Sequence, residues 1–448
     1  MVNCKTFFLQ VLTAGFICLV CLLFFSCNSN ANSVTTGNVI FIHPDGTGAA
    51  MWGALRLYWY GPDSLSNWER MNKLGLYRSH VLDASNSSSN GGATIHGYGV
   101  KTEFASFGNT TSRPVKSLSG KDYSIITEAH KAGMATALLN SGHICEPGTA
   151  AFVANSDKRS NTDDISLQII NSGVDIIMAG GETMLLPEGV ISRQGQPGIR
   201  EDGLNLINLA KEKGYTVVFT RDELLALPST TNKVFGIFAA DDTFNDQTEE
   251  ELKAKNLPLY GDQAPTLGEM VETTLRIFTA EGKQFMMVAE EEATDNFPNH
   301  NNAAGTLEAL RRADEAIGVA LDYINEHPRT LLLTAADSEA GGMQVYAVNK
   351  PEDFNKPLAA SENNGAPLDG CEGTATLPFV AAPDKNGTRL RFGIAWACFN
   401  DVAGGVIARA HGLNENMLHN NVDNTDIYRL MYATLFGRIL PAYIPGRE

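Results

Sequence analysis

The sequence predicts an α/β protein: a three-layer sandwich on a largely parallel central sheet, with a small insert or crown. Apolar runs without polar alternation recur along the chain, helical patterns separate them, and acidic residues follow the ends of several runs. A run without alternation is what a strand covered on both faces requires. Strand–helix alternation then argues for helices on both sides of a parallel sheet.

The elements follow in chain order. "NVIFIH" (38–43), "MATALLN" (134–140), "VDIIMAG" (174–180), "NKVFGIF" (232–238), "QFMMVAE" (284–290) and "TLLLTAA" (330–336) read as strands. The clearest helix is residues 305–325, where Leu307, Leu310, Ile317, Leu321 and Ile324 fall on one face. Residues 341–395 are richer in Pro, Gly and Asn and are expected to form the insert.

The first 26 residues differ from the rest. One Lys precedes an apolar run that ends in Ser26, which reads as a secretory signal peptide. "LLFFSC" also resembles a bacterial lipoprotein signal with Cys27 as the lipidated residue; the plainer alternative is a signal cleaved nearby. Residues 27–37 read as a polar tether, and residues 38–448 as one folded domain that includes the insert. The expected location is exported, in the periplasm or anchored to the outer membrane.

The formal net charge of −17 comes without a basic patch, which argues against nucleic acid as a partner. An anionic substrate would need local cations, from metals or Arg. Beyond the leader and Cys27, the cysteines are Cys145, Cys371 and Cys398, which permit one intrachain disulfide. Cys371–Cys398 is the expected pair.

The acidic residues concentrate after strands. Asp45 follows the first, Glu290, Glu291, Glu292 and Asp295 another, and Asp337 and Glu339 a third. In open parallel sheets ligands bind beyond the carboxyl ends of the strands. Carboxylates converging there repel one another unless a cation lies between them, which is the physical case for a metal site.

Several stretches, in sequence order, resemble the alkaline phosphatase family. They are "NVIFIHPDGTG", "SSSNGGATIHGYGVKT", "TAAFVANSDKRSNTDDI", "IIMAGGETMLLP", "GYTVVFTRDEL", "VAEEEATDN", "TAADSEAGGM" and "DNTDIYRLMYATL". The resemblance implies a nucleophilic serine at Ser89, with Ser88 as the alternative, at a helix N-terminus that favours an anion. It implies a phosphate-gripping Arg at Arg159, with Lys158 beside it as the competitor. Asp45, Glu290, Asp295 and Asp337 match metal ligands, and His300 is the expected zinc His, reached by a one-residue shift. The sequence also departs from the family. Ser338 and Asn400 stand where histidines are expected, and the Thr of the magnesium site has only Thr149 or Glu146 to match it. His43, His143 and His411 are candidates to replace the lost imidazoles; His43 lies two residues before Asp45, on the same face of its strand.

The expected activity is a metal-dependent phosphomonoesterase that acts through a phosphoserine and releases phosphate. The alternatives are a phosphodiesterase of the same superfamily and a non-catalytic lipoprotein that binds metal or phosphate. Because the inferred donors are mainly oxygen, Mg²⁺ or Ca²⁺ is expected in at least one site, with Zn²⁺ as the further candidate. A homodimer is also an expectation.

Overall fold

The computed structural model describes residues 34–110 and 113–444. The signal peptide and Cys27 lie outside the described residues. No helix of the described residues is long and apolar enough to cross a membrane.

A ten-stranded sheet dominates the molecule. Its strands are β1 (Asn38–Pro44), β2 (Lys73–Arg78), β3 (Ala135–His143), β4 (Ile176–Gly180), β5 (Thr216–Val218), β6 (Val234–Ile237), β7 (Phe285–Glu291), β8 (Thr330–Thr334), β9 (Ile407–Gly412) and β10 (Asn421–Asp423). Their order across the sheet is β10-β2-β9-β8-β1-β7-β3-β4-β6-β5. Only β9 runs antiparallel to its neighbours, β8 and β2. The fold is the α/β sandwich expected from the sequence.

The central strands are the apolar runs, and they are buried because helices cover both faces. On β1, Val39 and Phe41 enter one core while Ile40 and Ile42 enter the other. This is the two-residue alternation of a strand facing two apolar layers. Helix α1 (Leu267–Glu281) and helix α2 (Ala303–Glu326) supply the second layer through Leu275, Phe278, Leu307, Leu310 and Ile317. Full burial of each such side chain contributes roughly 1.5–3 kcal/mol.

Residues 344–395 carry a separate five-stranded antiparallel sheet. Phe379 and Phe392 of this sheet stack at 5.3 Å and pack with Tyr58.

One sequence expectation is corrected here. Cys371 and Cys398 are both free thiols, as is buried Cys145. The fold is held by its two cores, with no disulfide among the described residues.

Candidate active site

The site lies beyond the carboxyl ends of the parallel strands, and strand register builds its floor. His43 on β1 pairs in register with Glu290 on β7, and Glu290 pairs with Asn140 on β3. These side chains form a row across adjacent strands. Glu290 Oε1 lies 3.0 Å from His43 Nδ1, and Glu290 Oε2 accepts from Asn140 Nδ2. Asn140 Nδ2 also reaches Thr149 Oγ1 at 3.0 Å. Burial depresses the protonation of His43, but Asp45 and Glu290 outweigh it and raise its pKa above the ordinary imidazole value.

Asp45 follows β1 and is fully buried. The backbone then turns through Gly46 at φ +58°, where a Cβ would stand 2.4 Å from Asp295 Oδ1. Only glycine fits that turn and that approach. Asp337, three residues past β8, is also fully buried, and Ser338 Oγ donates to Asp337 Oδ1 at 3.3 Å. Asp295 lies on a short helix, Ala293–Asn299. One turn later, Asn299 Nδ2 donates to Asp295 Oδ2 at 3.0 Å and to Asp401 Oδ1 at 2.9 Å.

Burial, and then neighbouring carboxylates, raise Asp295, Asp337 and Glu292 well above the usual carboxylate range. The donor atoms of His43, Asp45 and Asp337 lie within 4.8 Å of one another, and so do those of Asp45, Glu290 and Glu292. Buried atoms of these groups lack any hydrogen-bond partner, namely His43 Nε2, Asp45 Oδ2, Glu292 Oε2 and Asp337 Oδ2, and so does Asp295 Oδ1 beside them. An orphaned buried carboxylate oxygen is costly. A divalent cation would satisfy these atoms, so the residues fit a metal centre.

The structure separates the two candidate serines. Ser88 is the N-cap of a helix, Ser89–Tyr98, and its hydroxyl is occupied. It accepts from Gly91 N at 3.3 Å and donates to the Phe104 carbonyl at 2.5 Å. Ser89 is the first helical residue and makes no side-chain hydrogen bond to another described residue. A Cβ on Gly92, one turn on, would stand 2.3 Å from Asp337 Cβ. The first turn therefore packs against the Asp337 side chain, and the same face carries Ser89.

Arg159 is 46% exposed at its side chain and ion-pairs through Nη2 with Glu146. Burial works against its charge, but Glu146, Glu292, Asp45 and Asp295 raise its pKa. Glu146 also takes His143 Nε2 at 2.7 Å. His143, Glu146 and Asp242 form a further cluster beside the first two. Lys158 makes no side-chain contact with these carboxylates.

Other expected residues fall elsewhere. His300, expected as the zinc His, is exposed, its Nδ1 lies 2.9 Å from the Asn296 carbonyl, and it is in none of the clusters above. Asp295 and residue 299 are four apart and share a helix face; residue 300 is turned about 100° away from residue 299. Asp401 takes the inward place expected for Asn400. Its neighbours are Asp295, Asn299, Asp45 and Ser338, and its carbonyl accepts at 3.4 Å from Asn86, in the loop that precedes Ser88 and Ser89. His411, in register with Leu332, has Glu415 and Arg70 as its charged neighbours and stays out of the cluster. Glu291 points to the opposite face and accepts from the Tyr260 hydroxyl at 3.0 Å. Glu292, named in the sequence among the strand-tip acids but given no role there, shares its side with Glu290, as the period of two along a strand would have indicated.

The alkaline phosphatase family model matches residues 36–435. The chain belongs to the alkaline phosphatase family. Its curated relatives include the rat tissue-nonspecific alkaline phosphatase, 26% identical over 374 residues, 75% of this chain and 70% of the relative. Alkaline phosphatase 4 of Bacillus subtilis is 24% identical over 333 residues, 72% of this chain and 66% of the relative. Among solved structures, the alkaline phosphatase of the Antarctic bacterium TAB5 superposes with a TM-score of 0.69 at 18% identity, covering 90% of this chain and 99% of its own. The Thermus thermophilus alkaline phosphatase gives 0.69 at 20% identity, covering 90% and 92%. A mutant of the Antarctic enzyme has been solved with magnesium bound. At these identities the superpositions establish the alkaline phosphatase fold, and the site of this family member must be argued from its own residues.

Proposed function

We propose that this alkaline phosphatase family member is a metal-dependent phosphomonoesterase with Ser89 as nucleophile. The observation that carries the reading is the contrast between the two serines. Ser88 is consumed as a helix cap, while Ser89 is unpaired at the first helical position, on the turn that packs against Asp337.

The metal ligands proposed are Asp45, Asp295 and Asp337, with Asp401, Asn299 and Ser338 completing the oxygen set. Glu290 and Glu292 form the second group with Asp45. A divalent cation held there would lower the pKa of the Ser89 hydroxyl and neutralise phosphoryl charge. Oxygen donors favour Mg²⁺ or Ca²⁺ over Zn²⁺.

Ser89 Oγ forms a bond to phosphorus while the bond to the leaving alcohol breaks, giving a phosphoserine and the free alcohol. The backbone N–H groups at the start of the helix face the transferred anion. Arg159 has guanidinium nitrogens not engaged by Glu146, and these supply the bidentate grip on nonbridging oxygens. Water then cleaves the phosphoserine, restoring Ser89 and releasing phosphate. Export and a lipid anchor at Cys27 belong to the same proposal; they rest on the leader alone, and Cys27→Ala is expected to move the protein from the membrane to the soluble fraction.

The test is turnover of p-nitrophenyl phosphate against bis(p-nitrophenyl) phosphate, with the phosphoenzyme trapped at low pH and the label mapped. Preference for the monoester and label on Ser89 is the expected result. Preference for the diester, or label on Ser88, overturns it.

A further inference from the structure

We propose that His43 is a metal ligand, contributing Nε2 to the cation held by Asp45 and Asp337, and that Glu290 acts through it as a positioning residue. This rests on the metal-centre reading above but not on the phosphatase activity.

The argument begins with tautomer and register. The parallel pairing of β1 with β7 sets His43 beside Glu290, with Nδ1 at 3.0 Å from Glu290 Oε1. An ionised Glu290 can only accept there, which assigns the proton to Nδ1 in the metal-loaded form. Asn140 donates to the other Glu290 oxygen and holds that carboxylate in place. The Nε2 lone pair of the neutral ring is thereby aimed away from Glu290. Carboxylate–imidazole–metal arrangements are built this way, the carboxylate fixing the ring and raising its basicity.

Next is what Nε2 meets. The side chain is 1% exposed, and Nε2 has no hydrogen-bond partner. Its nearest charged neighbour is Asp45 Oδ1 at 3.7 Å. That separation is too long for an N–H···O hydrogen bond, whose range ends near 3.2 Å. It suits two donors bridged by one cation, with bonds of about 2.0–2.2 Å to each. Asp337 closes the group, with all three donor atoms within 4.8 Å, and both Asp45 and Asp337 carry an unpartnered buried Oδ2. A buried histidine and two buried carboxylates, each carrying an atom without a partner, thus stand within reach of one cation. His143, the other histidine in a carboxylate cluster, has its Nε2 taken by Glu146 at 2.7 Å and its Nδ1 buried without a partner, so the test must separate the two rings.

The test uses the full protein, stripped with a chelator and reloaded with Mn²⁺ alone. Pulsed electron paramagnetic resonance reads nitrogen bound directly to the ion. The expected result is a ¹⁴N coupling in the wild type that becomes a ¹⁵N coupling when the protein is made with ¹⁵N-imidazole histidine. The coupling should persist in His143→Gln and vanish in His43→Gln. Glu290→Gln should retain it while weakening Mn²⁺ binding about 10–100-fold. Isotope labelling needs no substitution, so the result stands even where His43→Gln fails to fold. Absence of any nitrogen coupling in the wild type, or its loss in His143→Gln alone, overturns the proposal. Loss of p-nitrophenyl phosphate turnover with the coupling intact counts against the proposed activity and leaves this assignment standing.

Discussion

The two halves of the carboxylate cluster are built differently. Asp45 and Asp337 follow the central strands β1 and β8, with His43 behind them on β1. Asp295 and Asn299 sit on a seven-residue helix, and Asp401 sits on a two-residue strand paired with Glu339–Ala340. The first half has a nitrogen donor within reach and rests on fully buried strands. The second offers only oxygen and amide groups and rests on short elements at the sheet's rim. One site therefore presents two donor chemistries, and an ion in each half should obey different preferences. The same difference predicts rigidity in the first half and tolerance to change in the second.

The sharpest way to break this picture is to remove the proposed nucleophile. Ser89→Ala is expected to lower kcat for p-nitrophenyl phosphate by three or more orders of magnitude, because covalent catalysis is lost. Circular dichroism should be unchanged, since Ala is a good helix former at that position. A residual rate within tenfold of wild type would remove Ser89 from the mechanism.

The next largest effect sharpens the comparison itself. Asp401→His would place a nitrogen in the all-oxygen half. It should shift metal preference towards Zn²⁺ over Mg²⁺ by about 10–100-fold in relative affinity. Isothermal titration of the stripped protein with each metal measures this. An unchanged Zn²⁺:Mg²⁺ ratio would show that Asp401 does not touch the ion.

Removing metal tests both halves through pH. Burial and mutual repulsion raise Asp295, Asp337 and Glu292, and burial lifts Glu290 to about 7. With folded values above the unfolded ones, the metal-free native state binds more protons than the unfolded chain. Its stability therefore falls as pH rises from the ordinary carboxylate value of about 4 towards neutrality. A bound cation offsets this by occupying the carboxylates in their charged form. The rise in Tm on adding Mg²⁺ to stripped protein should be larger at pH 8 than at pH 5.5. An equal or smaller rise at pH 8 would mean that these carboxylates do not share an ion.

How much of this was legible in the sequence follows from burial. The central strands were readable because helices cover both faces and leave continuous apolar runs. Strand β2 was not, because its pattern is inverted: Leu74 and Leu76 are 51% and 55% exposed, while Gly75 and Tyr77 face inward. Antiparallel β9 alternates between half-buried and buried positions and carries Arg and His, so it has no run to notice. In the site, the strand-tip acids stood out because they follow apolar runs. Asp401 did not, since its closeness to Asp295 depends on a chain reversal more than 100 residues away in sequence. Residue 299 rather than His300 shares the Asp295 face, because a helical face, not a motif spacing, decides which side chain turns inward.

The smallest effect separates the neighbouring serines. Ser88 caps the Ser89–Tyr98 helix, accepting from Gly91 N at 3.3 Å and donating to the Phe104 carbonyl. Replacing an N-cap serine with alanine costs about 1 kcal/mol, within a range of roughly 0.5–2. Ser88→Ala should therefore lower stability by about that amount, read as a shift in the denaturant midpoint at constant m-value. Its effect on kcat should be far smaller than that of Ser89→Ala, because the cap orients the first turn but does not meet the phosphoryl group. The helix stays anchored through Gly92 against Asp337, so loss of the cap loosens the turn without displacing it. If Ser88→Ala abolished turnover while Ser89→Ala retained it, the roles of the two serines would be exchanged. The cap geometry would then have to break during catalysis to free the Ser88 hydroxyl, and the half of the site built around Asp337 would be serving a different nucleophile.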